Sequence, residues 1–255
     1  MRRGIIDSKK HPVILEYKEL EKLHTSFIIE GERLIKRAVD DKLMLKNIIY
    51  NNKSVLERDG YIDKASCDCY RASEGIMSAI SSSKPVPPEI ALCVMPQYGI
   101  NKILRGARAS LLITDCVNNP DNLGLVIRTA DACGVDAVIV TGTGAAPYHK
   151  NCVRAARGAI GRLPVLYEPD GKPIIAELKA AGVEIIGTSV SAENMLGDFN
   201  APEKFAVVVG NETHGMSAEM CGLCDIMMKI EMAQGRQSSF NVAVAAGIIL
   251  NRLIR

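Results

Sequence analysis

Three polar turns carry the residues that could do chemistry, and each follows an apolar run. The first, Asp115-Cys116-Val117-Asn118-Asn119-Pro120-Asp121-Asn122-Leu123-Gly124, comes after Leu111-Leu112-Ile113 and continues to Arg128. Asn122 reads as a helix N-cap, because a short polar side chain can accept from the free N–H groups of a first turn. Arg128 lies six residues on, under two helical turns. A guanidinium beside a helix amino terminus suits a phosphate or a carboxylate, and the same pattern also describes a cap followed by an ordinary surface arginine. The second turn, Gly210-Asn211-Glu212-Thr213-His214-Gly215-Met216-Ser217, follows Phe205 to Val209. Its glycines let the backbone approach a ligand, and Glu212 can accept from a hydroxyl or an amine. The third, Ile230-Glu231-Met232-Ala233-Gln234-Gly235-Arg236-Gln237-Ser238-Ser239-Phe240-Asn241, ends at a second N-cap before an apolar helix. Each alone is an ordinary strand-to-helix turn, and three from one sheet edge are what a small-molecule pocket needs.

Other patterns lead elsewhere. Gly142-Thr143-Gly144-Ala145-Ala146-Pro147 begins like a dinucleotide fingerprint, but its third position is Pro147 and it follows an internal strand, so a Rossmann site is not expected. No GxxxxGK[ST] occurs, which removes a P-loop nucleotidase. His149 beside Lys150 has no visible acid–base partner and reads as a surface histidine. The eight cysteines are scattered, and the pairs Cys67/Cys69 and Cys221/Cys224 lack a second pair or histidines at zinc spacing. They read as small core residues with no metal site.

The elements that must position the three turns fall in two halves. Before about residue 96, short strands at Phe27–Ile29, Asn47–Tyr50, Cys67–Tyr70 and Ile90–Val94 alternate with amphipathic segments, which implies a small α/β layer. From Ala109 the strands are longer and more continuously apolar: Leu111–Ile113, Ala137–Val140, Val183–Ile186, Phe205–Val209 and Ile226–Ile230. Such runs mark strands covered on both faces, as in a parallel sheet wrapped by helices. Helices are expected over Asn122–Cys133, Lys150–Ile160, Gly171–Ala181, Ser217–Cys224 and Asn241–Leu253. Domains are assigned to residues 1–100 and 101–255.

Composition bounds the function classes. At 255 residues, 47% apolar and 24% charged, the chain is neither disordered nor a disulfide miniprotein. The longest apolar stretch, Val242–Leu250, is nine residues and includes a glycine, so no membrane span is expected. No apolar run of signal-peptide length follows the first basic residues, and a cytoplasmic location is expected. The net charge of +2 conceals an asymmetry: residues 1–105 hold 18 Lys+Arg against 14 Asp+Glu, and the remainder 13 against 15. A mildly basic front half suits an anionic partner. With no Trp, four Phe and seven Tyr, stacking on splayed bases cannot dominate nucleic-acid binding.

The stretches Asn118–Gly124 through Arg128, Gly210–Ser217 and Ser239–Ala245 resemble, in order, the three motifs of the SpoU/TrmH RNA ribose 2′-O-methyltransferases of the SPOUT superfamily. The front half is similar to the ribosomal-protein-like RNA-binding domain that precedes many members. The resemblance implies a SPOUT α/β domain with a deep trefoil knot around a mainly parallel sheet, S-adenosylmethionine as cofactor, and a homodimer. It implies Arg128, Asn122, Glu212, Ser239 and Asn241 as the catalytic set, with cofactor contacts at Thr188, Gly210, Ile230, Met232 and Phe240. Phe240 stands where the motif usually has leucine, Glu231 where proline is usual, and Ala156 where a small hydroxyl residue is common. The RNA implied is ribosomal; transfer RNA, or a non-catalytic RNA-binding or ribosome-assembly role on the same fold, are the alternatives.

Overall fold

A computed structural model describes residues 2–23, 25–233 and 239–254. The chain divides into two compact units, Met1–Pro96 and Gln97–Arg255. In the first unit, β1 (Arg3–Ile6), α1 (Pro12–Leu23), β2 (Ser26–Glu30), α2 (Glu32–Asp40), β3 (Leu45–Tyr50), α3 (Tyr61–Lys64), β4 (Asp68–Ala72), α4 (Glu74–Met77) and β5 (Glu89–Val94) follow in order. Its sheet is mixed, in the order β1-β4-β3-β5-β2. The alternating side chains of its strands send Ile49, Ile90 and Leu92 to one face, where Ile14, Tyr17 and Met77 cover them. The Tyr17 hydroxyl donates to Asn47 Oδ1 at 2.7 Å, which satisfies both polar groups inside this core. The four strands expected here are present. β1 was not expected, because Arg3-Gly4-Ile5-Ile6 is an edge strand with a single buried side chain and so carries no apolar run.

The second unit contains α5 (Ile100–Ile103), β6 (Ala109–Asp115), α6 (Pro120–Cys133), β7 (Ala137–Thr141), α7 (Lys150–Ala156), β8 (Val165–Tyr167), α8 (Gly171–Ala180), β9 (Glu184–Thr188), β10 (Asn194–Met195), β11 (Lys204–Val209), α9 (Ala218–Leu223), β12 (Ile226–Lys229) and α10 (Val242–Leu253). Its seven strands are all parallel, in the order β10-β12-β9-β11-β6-β7-β8. Leu111, Ile113, Ile139, Ile185 and Val208 pack on one side with α8 and Met220 of α9. Alternation sends the intervening residues to the side where α6 and α10 lie, and this two-sided burial explains the continuous Val/Ile runs.

Two expectations are corrected in this unit. The helix expected over Lys150–Ile160 ends at Ala156, because Arg157 (φ 52°) and Gly158 (φ 90°) are both left-handed and a 3₁₀ turn follows. The strands β8 and β10 escaped the sequence reading because they have only three and two residues. The expected knot depends on the connection from β12 to α10, whose residues 234–238 lie outside those described. Among the described residues no helix is long and apolar enough to cross a membrane.

The topology selects the place for a site. From β6 the chain steps outward through β7 and β8, then returns to the other flank of β6, where β11 pairs with it and Val209 lies opposite Thr114. Ligands in open parallel sheets bind beyond the carboxyl ends of strands at such a reversal. The first two polar turns leave the sheet at these two neighbouring strand ends.

Candidate active site

The first turn is built differently from its sequence reading. Asn119, not Asn122, caps α6: its Oδ1 accepts from Asp121 N at 2.8 Å and Asn122 N at 3.4 Å. Pro120 follows as the first helical residue, where its fixed φ suits the helix and its missing N–H costs nothing. Starting the helix earlier frees the Asn122 side chain from capping. Its Nδ2 donates to Glu212 Oε1 at 2.7 Å, and its Oδ1 accepts from Asn241 Nδ2 at 3.1 Å. Asn241 in turn caps α10, its Oδ1 accepting from Ala243 N at 2.9 Å. The chain of bonds fixes every amide orientation, since a carboxylate can only accept and a backbone N–H can only donate. One residue from each turn is thereby joined in a relay, Glu212–Asn122–Asn241.

The second turn is a closed loop. Asn211 and Gly215 exchange backbone bonds at 2.8 and 2.9 Å, while Asn211 Oδ1 accepts from Thr213 N and His214 N. Two further bonds tie it to the first turn: Asn211 Nδ2 donates to the carbonyl of Cys116 at 2.9 Å, and Ser217 N donates to buried Asp115 Oδ2 at 2.6 Å. Asn211 and Asp115 were not assigned a role from sequence. The available signal was the tendency of asparagine to fold back on its own backbone after a strand.

Among the described residues, the other expected residues make no side-chain hydrogen bond to the relay. Arg128 is exposed on α6, about 9 Å along the helix axis from Asn122 at 1.5 Å per residue, and makes no ion pair among the described residues. Ser239 and Phe240 are exposed immediately before Asn241, and the preceding part of the third turn, 234–238, is outside the described residues. Thr188, Gly210, Ile230 and Met232 are half-buried. Thr188 ends β9, Gly210 follows β11 and Ile230 follows β12, so three of them sit at the ends of adjacent strands. Thr188 Oγ1 donates to the Val208 carbonyl at 2.8 Å, locking that row.

The false dinucleotide fingerprint has a packing explanation. A Cβ on Gly142 would lie 2.3 Å from Cys116 Sγ, and one on Gly144 2.4 Å from the Val117 carbonyl. These glycines let the turn after β7 press against the first turn; they cradle protein, not pyrophosphate. His149 caps α7, its Nδ1 accepting from Asn151 N at 3.3 Å. Among the described residues no three His, Cys, Asp or Glu are grouped to hold a metal ion. Cys67, Cys69, Cys93 and Cys152 are buried, whereas Cys221 is exposed because it sits on the outer side of short α9. Burial pushes the thiol of Cys224 up to about 12, so Cys224 is poorly suited to supply a thiolate for redox exchange or metal binding.

The model of the SpoU rRNA Methylase family matches residues 109–251, more than half of the chain and all three turns. The chain belongs to the SpoU rRNA methylase family. Similarity extends beyond that domain in full-length SpoU relatives. The 23S rRNA (guanosine(2553)-2′-O)-methyltransferase RlmP of Bacillus subtilis is 33% identical over 97% of this chain and 98% of its own. The 23S rRNA (uridine(2479)-2′-O)-methyltransferase of Streptomyces viridochromogenes is 28% identical over 90% and 82%. Among solved structures, the SpoU methyltransferase AviRb of Streptomyces viridochromogenes in complex with AdoMet shares the fold at a TM-score of 0.86, with 23% identity over 96% of this chain and 97% of that one. An RNA 2′-O ribose methyltransferase aligns at 0.78, with 27% identity over 98% and 97%. SpoU membership makes the chain a methyltransferase, and both of its units align with SpoU relatives.

Proposed function

We propose that this SpoU enzyme transfers the methyl group of S-adenosylmethionine to a ribose 2′-hydroxyl of ribosomal RNA. The observation that carries the reading is the Glu212–Asn122–Asn241 relay, which draws one side chain from each family motif to the strand ends beside the β6/β11 reversal. The full-length likeness to a 23S rRNA methyltransferase supports the ribosomal substrate.

The chain fits the cofactor. Thr188, Gly210 and Ile230 stand side by side at the ends of β9, β11 and β12, where backbone N–H and C=O groups run out of strand partners and can read an adenosyl group. When bound, S-adenosylmethionine supplies an electrophilic methyl on a sulfonium, and the protein supplies alignment. Arg128 carries a guanidinium, which holds its proton too firmly to act as a base. It serves as a fork for a phosphate next to the target ribose, which polarises the sugar and fixes its place. Asn122 is immobilised by bonds on both sides and holds Glu212 and Asn241 at a set spacing. Ser239, exposed beside Asn241, is placed to orient the hydroxyl. The first unit, mildly basic and with few aromatic residues, serves as the substrate-binding domain by phosphate and shape recognition.

A homodimer completes the reading. Leu125, Val244 and Ile248 remain 38%, 50% and 36% exposed and line one groove between α6 and α10 with Thr129 and Gly247. An apolar face of this kind marks an interaction surface, and Arg128 lies between Leu125 and Thr129 in sequence. A second copy seated there brings its own loops beside this arginine. Introducing Val244→Glu with Ile248→Glu should shift the particle from twice the chain mass to 27.6 kDa by light scattering, with activity lost and each chain still folded. Wild-type protein measured as a monomer would refute the dimer.

The deciding experiment offers methyl-labelled S-adenosylmethionine and unmodified 23S rRNA, 16S rRNA and tRNA transcripts, followed by nuclease digestion and mass spectrometry. A 2′-O-methylated nucleoside in 23S rRNA is expected. Label confined to tRNA, label on a base, or no cofactor binding by calorimetry would each overturn the reading in a different part.

A further inference from the structure

Besides the Ser217 N–Asp115 bond, the Asn211 side chain ties the loop carrying Glu212 to the loop carrying Asn122. Asn211 uses its whole side chain: Oδ1 accepts from Thr213 N at 2.8 Å and His214 N at 3.1 Å, and Nδ2 donates to the Cys116 carbonyl at 2.9 Å. Cys116 is itself unusual, a non-glycine residue at φ 54°. That left-handed conformation costs a residue with a Cβ on the order of 1–3 kcal/mol and persists only where surrounding groups over-determine it. Its N–H is held by the Thr141 carbonyl at 3.1 Å, and its carbonyl is turned to meet Asn211. Glu212 follows Asn211 directly, so the place where Nδ2 anchors sets how far Glu212 reaches toward Asn122.

We infer that Asn211 is a positioning residue for the methyl-transfer reaction, acting through Glu212 by latching the second motif loop onto the carbonyl of Cys116. The inference rests on the reading that Asn122, Glu212 and Asn241 belong to the reactive site. Among the described residues Asn211 makes no hydrogen bond to Asn122 or Asn241; it fixes the register between two loops that come from neighbouring strand ends. Misplacing a catalytic contact by about 1 Å costs on the order of 100-fold in rate.

Asn211→Asp isolates the latch. The isosteric carboxylate keeps both acceptor bonds that shape the loop, sets an oxygen against the Cys116 carbonyl in place of the donor, and adds a negative charge beside Glu212. Wild type, Asn211→Asp, Glu212→Gln and the double variant are compared at saturating S-adenosylmethionine on whichever transcript among 23S rRNA, 16S rRNA and tRNA accepts label. Asn211→Asp should lower kcat by roughly 30- to 100-fold and leave the RNA KM within about threefold. On the Glu212→Gln background the same change should cost less than about threefold, because residues acting through one another are not additive. Fully additive losses, or full kcat in Asn211→Asp while Glu212→Gln loses it, overturn the inference alone. Full kcat in Glu212→Gln overturns the reading beneath it. Asn211→Ala with a thermal melt is the companion measurement: a rate loss that vanishes wherever the variant is fully folded assigns Asn211 a purely structural role and also overturns the inference.

Discussion

Replacing Arg128 with alanine should reduce methyl transfer by about 1,000-fold or more while leaving S-adenosylmethionine affinity within about twofold. The side chain is exposed on α6 and makes no ion pair among the described residues, so the fold does not depend on it. A surface substitution of that kind changes stability by about 0.5 kcal/mol at most. Leu123, Val126, Ile127 and Ala130 hold the buried face of the helix and are untouched. What disappears is a fork that fits a phosphate through two parallel N–H bonds. Arg128→Lys retains the charge and loses the fork, so it should recover only part of the rate. Single-turnover rates on labelled transcript, with calorimetric cofactor binding as the control, check both variants. Full activity in Arg128→Ala would remove the arginine from the mechanism, and a large fall in cofactor affinity would move it into the cofactor pocket.

Periodic features of this chain are legible in its sequence, and relational ones are not. The strands Ala137–Thr141 and Lys204–Val209 were legible because burial on both faces leaves a continuous apolar run. β10, two residues at the sheet edge, leaves no such trace. The helix after the first turn was legible as a helix but not at its start, because Asn119 and Asn122 are equally good caps in isolation. Pro120 settles the matter, since it fits best at the first helical position. That small shift changes the chemistry: an Asn122 engaged in capping would spend its Oδ1 on helix N–H groups and have no acceptor left for Asn241 Nδ2. The relay spans residues 90 and 119 apart in sequence, and no local pattern reports that β11 returns to lie beside β6. The motif resemblance supplied Arg128, Asn122, Glu212, Ser239 and Asn241 as a set, whereas the structure supplies the bonds that join Asn122, Glu212 and Asn241. Asn211 was passed over because its partner is a backbone carbonyl, which has no identity in a sequence.

The second large effect concerns Gly210, and its signature should be the opposite of that of Arg128. A Cβ there would lie 2.2 Å from Gly215 C and from Met216 N, and 2.5 Å from the Gly215 carbonyl oxygen. All three are backbone atoms, so no side-chain rotation relieves the clash. Gly215 already sits at φ 71°, a conformation that a loop pushed aside by the added methyl group would have to abandon. Gly210→Ala must therefore open the Asn211–Gly215 bridge. With it go the Ser217 N–Asp115 bond, the Asn211–Cys116 latch and the reach of Glu212. Overpacking of this kind costs about 1–3 kcal/mol. At roughly 2–4 °C per kcal/mol for a unit of this size, the melting temperature should fall by roughly 5 °C. Activity should fall at least about 100-fold at temperatures where the variant remains folded, because the loop no longer sets the relay spacing. Cofactor affinity should fall with it, since Gly210 belongs to the row of strand ends that also holds Thr188 and Ile230. Arg128→Ala thus separates rate from cofactor binding, whereas Gly210→Ala ties rate, binding and stability together. A Gly210→Ala enzyme with unchanged melting temperature and cofactor affinity would mean that the second loop is free to rearrange, and that the closed geometry of Asn211–Gly215 is not what holds Glu212 in place.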